Sequence, residues 1–199
     1  MPEANSQIYR SVKEKTDTTT TLHEYRKTMR PPGHVPYVVD NLWEWKRPKN
    51  YPCRRRSVFA SPQASLAKEL GSENGTVFRV EFKGEYNLCQ VKKYKDSKFH
   101  PECNTLKKLL FDLLGKDWVN TELNEKEEFG RLWMPCLTRN QMNYLFGENE
   151  KLRKIRENLY NAIKYWEDVI LIRKDMSLPY NDGELFFEAV NGYYLRALK

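Results

Sequence analysis

Strands are predicted where apolar and polar residues alternate, or where a short apolar run lies between turn residues. Residues 76–82 alternate in this way, so we expect a strand with one face towards solvent. The closing run at residues 183–189 follows an Asn-Asp-Gly turn and is mostly apolar. Similar patterns predict further strands at residues 7–12, 57–60, 87–94, 131–137 and 169–173.

Helices are predicted where apolar residues recur every three or four positions between capping signals. Ser61 and Pro62 predict an N-cap and first helical residue, with the helix ending at Gly71. Asn104 is expected to cap a second helix that ends at Gly115. Its apolar stripe consists of Leu106, Leu109, Leu110, Leu113 and Leu114. Other helices are expected at residues 37–45, 138–146 and 149–168.

The mixed order of short strands and helices predicts an α+β fold. A chain of 199 residues with 40% hydrophobic content is long enough for a substantial core, and no repeat or linker divides it. We therefore expect a single domain over residues 1–199.

The net charge of +7 and pI of about 9.1 favour a polyanionic partner or a phosphate-bearing ligand. The four cysteines form no Cys-x-x-Cys pair and the three histidines are scattered, so no metal site is predicted. The N-terminus lacks the pattern of a signal peptide, and no apolar run approaches the ~20 residues of a membrane helix. We expect a cytoplasmic protein with reduced thiols and no membrane partner.

Glu184 is the most informative acidic residue, because it lies between the turn at 181–183 and an apolar Leu-Phe-Phe run. Burying an unpaired carboxylate costs several kcal/mol, about 3–5, so we expect Glu184 at the strand's end, facing a cleft. A carboxylate fixed beside a ribose can stabilise the oxocarbenium-like transition state of glycosidic cleavage. Arg10 could hold phosphate or ribose oxygens, and Phe59 could stack on a base.

At these residues the chain resembles the ADP-ribosyltransferase superfamily. Residues 8–10, Ile-Tyr-Arg, are similar to the first-strand motif of that family. Residues 57–67 are similar to the strand-to-helix segment of RES-type NAD-degrading toxins and related branches. Residues 183–188 resemble the last motif, in which a glutamate opens a strand, and the three segments occur in the family's order.

The resemblance implies a split β-sheet core with flanking helices and NAD as substrate, bound in a cleft between two small sheets. It implies that Glu184 and Arg10 are catalytic. Arg10, Phe59, Ser61 and His34 are the expected NAD-binding residues. The enzyme would cleave the nicotinamide glycosidic bond and transfer ADP-ribose to an acceptor or to water.

The resemblance also implies binding partners. The basic surface favours RNA or DNA as the acceptor of ADP-ribose. A toxin of this kind would also have a neutralising antitoxin-like protein as a partner. The basic loop at residues 54–56 is a weaker candidate for NAD contacts. Asp182 stands where the family often places a second acid, two residues before the catalytic glutamate, which counts against an arginine-modifying specificity.

Each candidate residue also has a purely structural interpretation. Arg10 can be a surface cation paired with a carboxylate, and Phe59 can be a core residue. Ser61 can be a plain N-cap, and Glu184 can cap the preceding turn. Glu188 lies on the same strand face as Glu184 and is an alternative functional acid.

A second functional class stays open, which is a noncatalytic nucleic-acid-binding protein. It would use the basic loop, the basic face of the helix at 149–168 and one exposed tryptophan of the pair Trp43 and Trp45. Glu184 discriminates the two classes, because a binder of polyanions gains nothing from a carboxylate in its groove.

Overall fold

The computed structural model describes residues 7–13, 21–174 and 176–198. The chain falls into two compact units. The sheet unit comprises residues 1–28, 50–97 and 168–199, and the helical unit comprises residues 29–49 and 98–167. The α+β class is thereby confirmed, since strands and helices both occur. The single domain over residues 1–199 stays a prediction.

The sheet unit contains two antiparallel sheets. Its strands are β1 (Tyr9–Lys13), β2 (Val58–Ala60), β3 (Gly75–Phe82), β4 (Tyr86–Val91), β5 (Val169–Ile172), β6 (Leu185–Ala189) and β7 (Tyr193–Ala197). A three-stranded sheet has the order β1-β3-β7, and a four-stranded sheet has the order β2-β6-β4-β5. The backbones of Tyr9 and Ser61 exchange two hydrogen bonds of 2.8 Å, so β1 and the end of β2 are joined.

One apolar cluster from both sheets forms the core of the sheet unit. Its buried members are Ile8, Ala60, Phe78, Val80, Leu88, Ile172, Leu185, Phe187, Ala189, Tyr193 and Leu195. Strand β6 supplies Leu185, Phe187 and Ala189 to this cluster, following the two-residue period of a strand. The intervening Phe186 is also buried, so β6 is enclosed on both faces. The fixed position of β6 holds Glu184, which directly precedes it.

The helical unit contains most of the helices. Helix α2 (Ala64–Leu70) belongs to the sheet unit, whereas α1 (Tyr37–Lys46), α3 (Glu102–Leu114), α4 (Leu123–Gly130), α5 (Arg139–Glu148) and α6 (Glu150–Ala162) belong to the helical unit. Thr138 caps α5 in a reciprocal pair with Gln141. Within the described residues, no helix is both long and apolar enough to cross a membrane.

The strand predicted at residues 131–137 is wrong. Residues Arg131–Trp133 form a 3₁₀ turn after α4, and the positive φ of Cys136, 59°, interrupts extended backbone. The Asn41 amide donates to the carbonyls of Leu132 and Met134, and its oxygen accepts from the Leu137 N–H. A buried side chain therefore satisfies backbone groups that a sheet would otherwise have to pair.

Two helix starts also differ from expectation. Helix α2 starts at Ala64 after Gln63, because Ser61 is held in extended pairing with Tyr9. Ser61 is therefore not its N-cap. Helix α3 starts at Glu102, two residues before Asn104. The His100 ring nitrogen accepts the Glu102 N–H, which supplies the cap expected from Asn104.

The predicted helix at 149–168 is shorter than expected. Helix α6 ends at Ala162, and residues Tyr165–Asp168 form a separate 3₁₀ turn. The Lys46 ammonium donates to the carbonyls of Tyr160 and Ile163 at this end. Side-chain donors near a helix C-terminus satisfy its last carbonyls, so the α-helix can stop there without a glycine.

The expectation of one exposed tryptophan is also wrong. Trp43 is fully buried and Trp45 is 3% exposed. Trp43 stacks on Tyr165 with ring centroids 4.0 Å apart and donates to Glu102 at 2.8 Å. Trp45 stacks on Phe146 at 4.6 Å. Both rings are therefore part of the core of the helical unit.

The sequence patterns did not predict helix α4 or strand β7.

Candidate functional site

Glu184 lies at the entrance to β6, where two neighbouring chain segments hold its backbone. Its N–H donates to Tyr94 O at 2.8 Å, and its carbonyl accepts from the Val91 N–H at 2.9 Å. Gly183 approaches β4 so closely that a Cβ there would lie 1.8 Å from Val91 O. The glycine of the Asn-Asp-Gly turn is therefore needed for close packing of backbone against backbone.

The Glu184 side chain is buried and paired. The residue is 8% exposed, and its carboxylate lies 3.0 Å from Nη1 of Arg54. The hydroxyl of Ser97 donates to the same carboxylate oxygen. The expectation of a carboxylate facing an open cleft is thus corrected. The cost of removing the charge from water is offset by a buried cation and a hydroxyl.

Arg54 joins Glu184 to the aromatic residues of two strands. Its guanidinium carbon lies 5.0 Å from the ring centroid of Phe59 in β2 and 5.1 Å from that of Phe186 in β6. Arg54 is itself only 6% exposed. A guanidinium cation at this distance is attracted by an aromatic ring, so Arg54 is fixed between the carboxylate and the two rings. Glu184 and Phe59 are therefore brought together through Arg54.

Arg10 occupies a different environment, in β1 of the three-stranded sheet. Its Nη1 donates to the Tyr193 hydroxyl at 3.1 Å, and the side chain is half-buried. The cation that contacts Glu184 is therefore Arg54, which the sequence had indicated only as a weaker candidate. The run of three arginines before β2 indicates a basic loop, but it does not identify which of them pairs with Glu184.

Ser61 and His34 are placed less favourably for ligand contact. Ser61 is 5% exposed, and its backbone pairs with Tyr9, the neighbour of Arg10. The β2–β6 pairing ends at Ala60 and Leu185, which are the chain neighbours of Ser61 and Glu184. His34 lies in an exposed bend of the helical unit.

Glu188 belongs to a second charged cluster in the sheet unit. The Tyr25 hydroxyl donates to its carboxylate at 3.3 Å. A hydrogen bond with Tyr25 raises the pKa of Arg56, and the charge of Glu188 raises it further. Glu184 therefore forms an ion pair with Arg54 of the basic loop. Glu188 accepts a hydrogen bond from Tyr25, and its charge adds to the field at Arg56.

The comparisons with known proteins add no relative. No protein-family model matches the chain, and no curated protein or solved structure matches it. In the part of the chain that the structure describes, no group of three or more His, Cys, Asp or Glu side chains is placed to hold a metal ion. The function is therefore argued from the geometry of the sheet unit.

Proposed function

We propose that the sheet unit binds NAD and cleaves its nicotinamide glycosidic bond, with ADP-ribose passing to an acceptor nucleophile or to water. The observation that carries this proposal is the convergence of three segments. Ser61 at the end of β2 pairs with Tyr9 beside Arg10, and β2 pairs with β6, which follows Glu184. These are the three segments that resemble ADP-ribosyltransferase motifs.

In the proposed reaction the bond between ribose C1′ and the nicotinamide nitrogen breaks, and nicotinamide leaves with the bonding electron pair. Positive charge develops on the ribose, and the fixed carboxylate of Glu184 stabilises it. The acceptor then forms a bond to C1′ and loses its proton. Arg54 positions the carboxylate, while Phe59 lies against the same guanidinium.

Rigid placement supports this assignment. The Glu184 backbone is held by hydrogen bonds on both sides, and its side chain is held by Arg54 and Ser97. A preorganised charge needs no reorganisation when the transition state forms, which is why such groups can lower a barrier substantially. The proposal requires NAD to reach the carboxylate through the part of Glu184 that remains exposed.

The test is turnover of NAD labelled in its ADP-ribose part, with and without nucleic acid or cell extract as acceptor. Glu184→Gln should lose about 3–4 kcal/mol of transition-state stabilisation, which lowers kcat by a factor of about 10²–10³ and leaves KM nearly unchanged. Rates are compared per folded molecule, because Glu184 also has a buried partner.

Glu188→Gln is the matched control, since it is the same change four residues further along, within β6, and should retain turnover. Ordinary turnover by Glu184→Gln would remove Glu184 from the reaction. Loss of turnover in Glu188→Gln alone would transfer the role to the Tyr25 and Arg56 cluster. A folded wild-type protein that converts no labelled NAD to ADP-ribose or to an ADP-ribosylated acceptor under any of these conditions would contradict the proposed function.

A further inference from the structure

A groove of about 540 Å³ lies within the helical unit, on residues that the proposed reaction does not use. It is formed by the end of α1 and the following loop together with α5 and α6. Its lining consists of Trp45, Lys46, Arg47, Pro48, Lys49, Arg139, Asn143, Arg156, Glu157 and Tyr160. Five of these side chains are cations and one is a carboxylate, so the groove carries a strong excess of positive charge.

Part of this charge is already used inside the protein. Arg47 forms an ion pair of 2.9 Å with Glu44, and the Lys46 ammonium caps the end of α6. Lys49, Arg139 and Arg156 are exposed along the groove. Arg139 also donates to the Arg47 carbonyl, and the guanidinium carbon of Arg156 lies 6.0 Å from the Trp45 ring centroid. Arg139 is also the first residue of α5, so the positive end of that helix adds to the same field.

The composition of the lining favours an anionic ligand. It contains five cations and one carboxylate, so a bound anion would relieve the repulsion between the cations. The groove therefore favours a ligand that carries several negative charges.

An aromatic ring distinguishes this groove from a simple basic surface. Tyr160 is 39% exposed and packs edge-on against Trp45, with ring centroids 4.9 Å apart. Trp45 is in turn fixed by stacking on Phe146 and by a 2.8 Å hydrogen bond to Asn143. Tyr160 is therefore held against Trp45, and the Lys46 ammonium lies 5.0 Å from its ring centroid. Part of its surface remains open to a ligand.

We propose that this groove binds single-stranded nucleic acid, with phosphates against Lys49, Arg139 and Arg156 and an unpaired base stacked on Tyr160. Basic grooves with aromatic platforms bind single strands in this way, because every base has a face that can stack. A duplex keeps its bases paired and cannot use the ring. An acidic protein would use the cations but has no base to stack.

The experiment is titration of labelled single-stranded RNA and DNA of about 12 nucleotides, a length within known single-strand site sizes. A duplex of the same sequence and heparin serve as comparators. Single strands should bind more tightly than the duplex, and affinity should fall steeply as salt rises. The difference between the RNA and DNA arms identifies which strand the groove prefers.

Arg156→Ala and Arg153→Ala form a matched pair, because both remove one exposed cation from α6 but only Arg156 lines the groove. Arg156→Ala should weaken binding by about tenfold and reduce the salt dependence by about one phosphate contact. Arg153→Ala should have a much smaller effect. Equal losses from both variants would mean that net charge alone attracts the strand, which would overturn the proposed site.

The aromatic contact is tested with Tyr160→Leu and Tyr160→Phe. Loss of the ring should weaken single-strand binding roughly five- to a hundredfold, whereas Tyr160→Phe keeps the ring and should bind normally. Thermal melting checks that both variants are folded. Unchanged binding by Tyr160→Leu, or a duplex and heparin that bind as tightly as the single strand, would overturn the proposal.

This inference is independent of the proposed NAD chemistry. Glu184→Gln should bind oligonucleotides like the wild-type protein, and Arg156→Ala should release nicotinamide in the absence of nucleic acid like the wild-type protein. If the protein does not cleave NAD, oligonucleotide binding by the groove can still be tested, and the reverse also holds.

Discussion

At the scale of single residues, Arg54 of the basic loop decides how the carboxylate of Glu184 is held. Arg54 and Glu184 are separated by 130 positions in the chain and form a buried ion pair. Nothing local in the sequence identifies such a partner, so reasoning from the sequence could place Glu184 at the strand's entrance but could not assign its cation. Arg10 seemed a better candidate only because of its motif.

Removing Arg54 should destabilise the protein strongly. Arg54→Met leaves the buried Glu184 carboxylate without its cation, and breaking a buried pair in this way costs about 3–5 kcal/mol. Urea unfolding measures the loss, with the midpoint shift as the readout. The double variant Arg54→Met with Glu184→Gln should recover part of this loss, because the uncompensated charge is then gone.

Arg196→Met is the matched control for that experiment. Arg196 pairs with Glu81 at 2.9 Å, but both side chains are more than one third exposed. Water and salt screen such a pair, so its removal should shift the midpoint far less. A similar midpoint shift for both arginine variants would mean that burial does not determine how much the Arg54–Glu184 pair contributes to the free energy of unfolding.

At the scale of elements, local sequence signals predicted helix boundaries well where no distant segment contacts the backbone. Thr138 and Gln141 form a reciprocal cap, and α5 starts directly after Thr138, close to where the sequence placed it. The prediction failed where a distant segment intervened. Tyr9 holds Ser61 in extended backbone, and Asn41 satisfies the backbone of the segment predicted as a strand at 131–137. A Ser-Pro pair is typical of a helix start and an apolar run is typical of a strand. Here hydrogen bonds from distant segments determine the backbone conformation at both places instead.

The entrance of β6 yields the second stability prediction. Gly183→Ala places a methyl group 1.8 Å from Val91 O, an atom of the backbone that cannot rotate away. Overpacking of this kind costs about 1–3 kcal/mol, and displacement of Glu184 should lower NAD turnover as well. The free energy of unfolding and the turnover rate are both measured.

Gly147→Ala supplies the comparison. Gly147 lies in α5, and a Cβ there meets nothing within 4 Å. Alanine is a better helix former than glycine, so this variant should be more stable by about 0.5–1 kcal/mol. Equal stability of the two alanine variants would contradict the close approach at Gly183.

At the scale of the whole molecule, each unit carries one buried and one half-buried thiol. Cys89 is fully buried and Cys53 is half-buried in the sheet unit, while Cys103 is 6% exposed and Cys136 is half-buried in the helical unit. None of the four described cysteines forms a disulfide. A thiol reagent can therefore report on the opening of each unit separately.

Under native conditions Cys53 and Cys136 should react first. Cys89 and Cys103 should react more slowly by a factor of at least about 10³, because their labelling requires opening that costs several kcal/mol. Mass spectrometry of digested samples gives the rate at each thiol. Leu159→Ala should accelerate labelling of Cys103, since α3 packs on α6 and emptying a fully buried leucine site costs about 2–5 kcal/mol. Labelling of Cys103 as fast as Cys136 in the wild-type protein, or at an unchanged rate in Leu159→Ala, would show that this core does not protect the thiol.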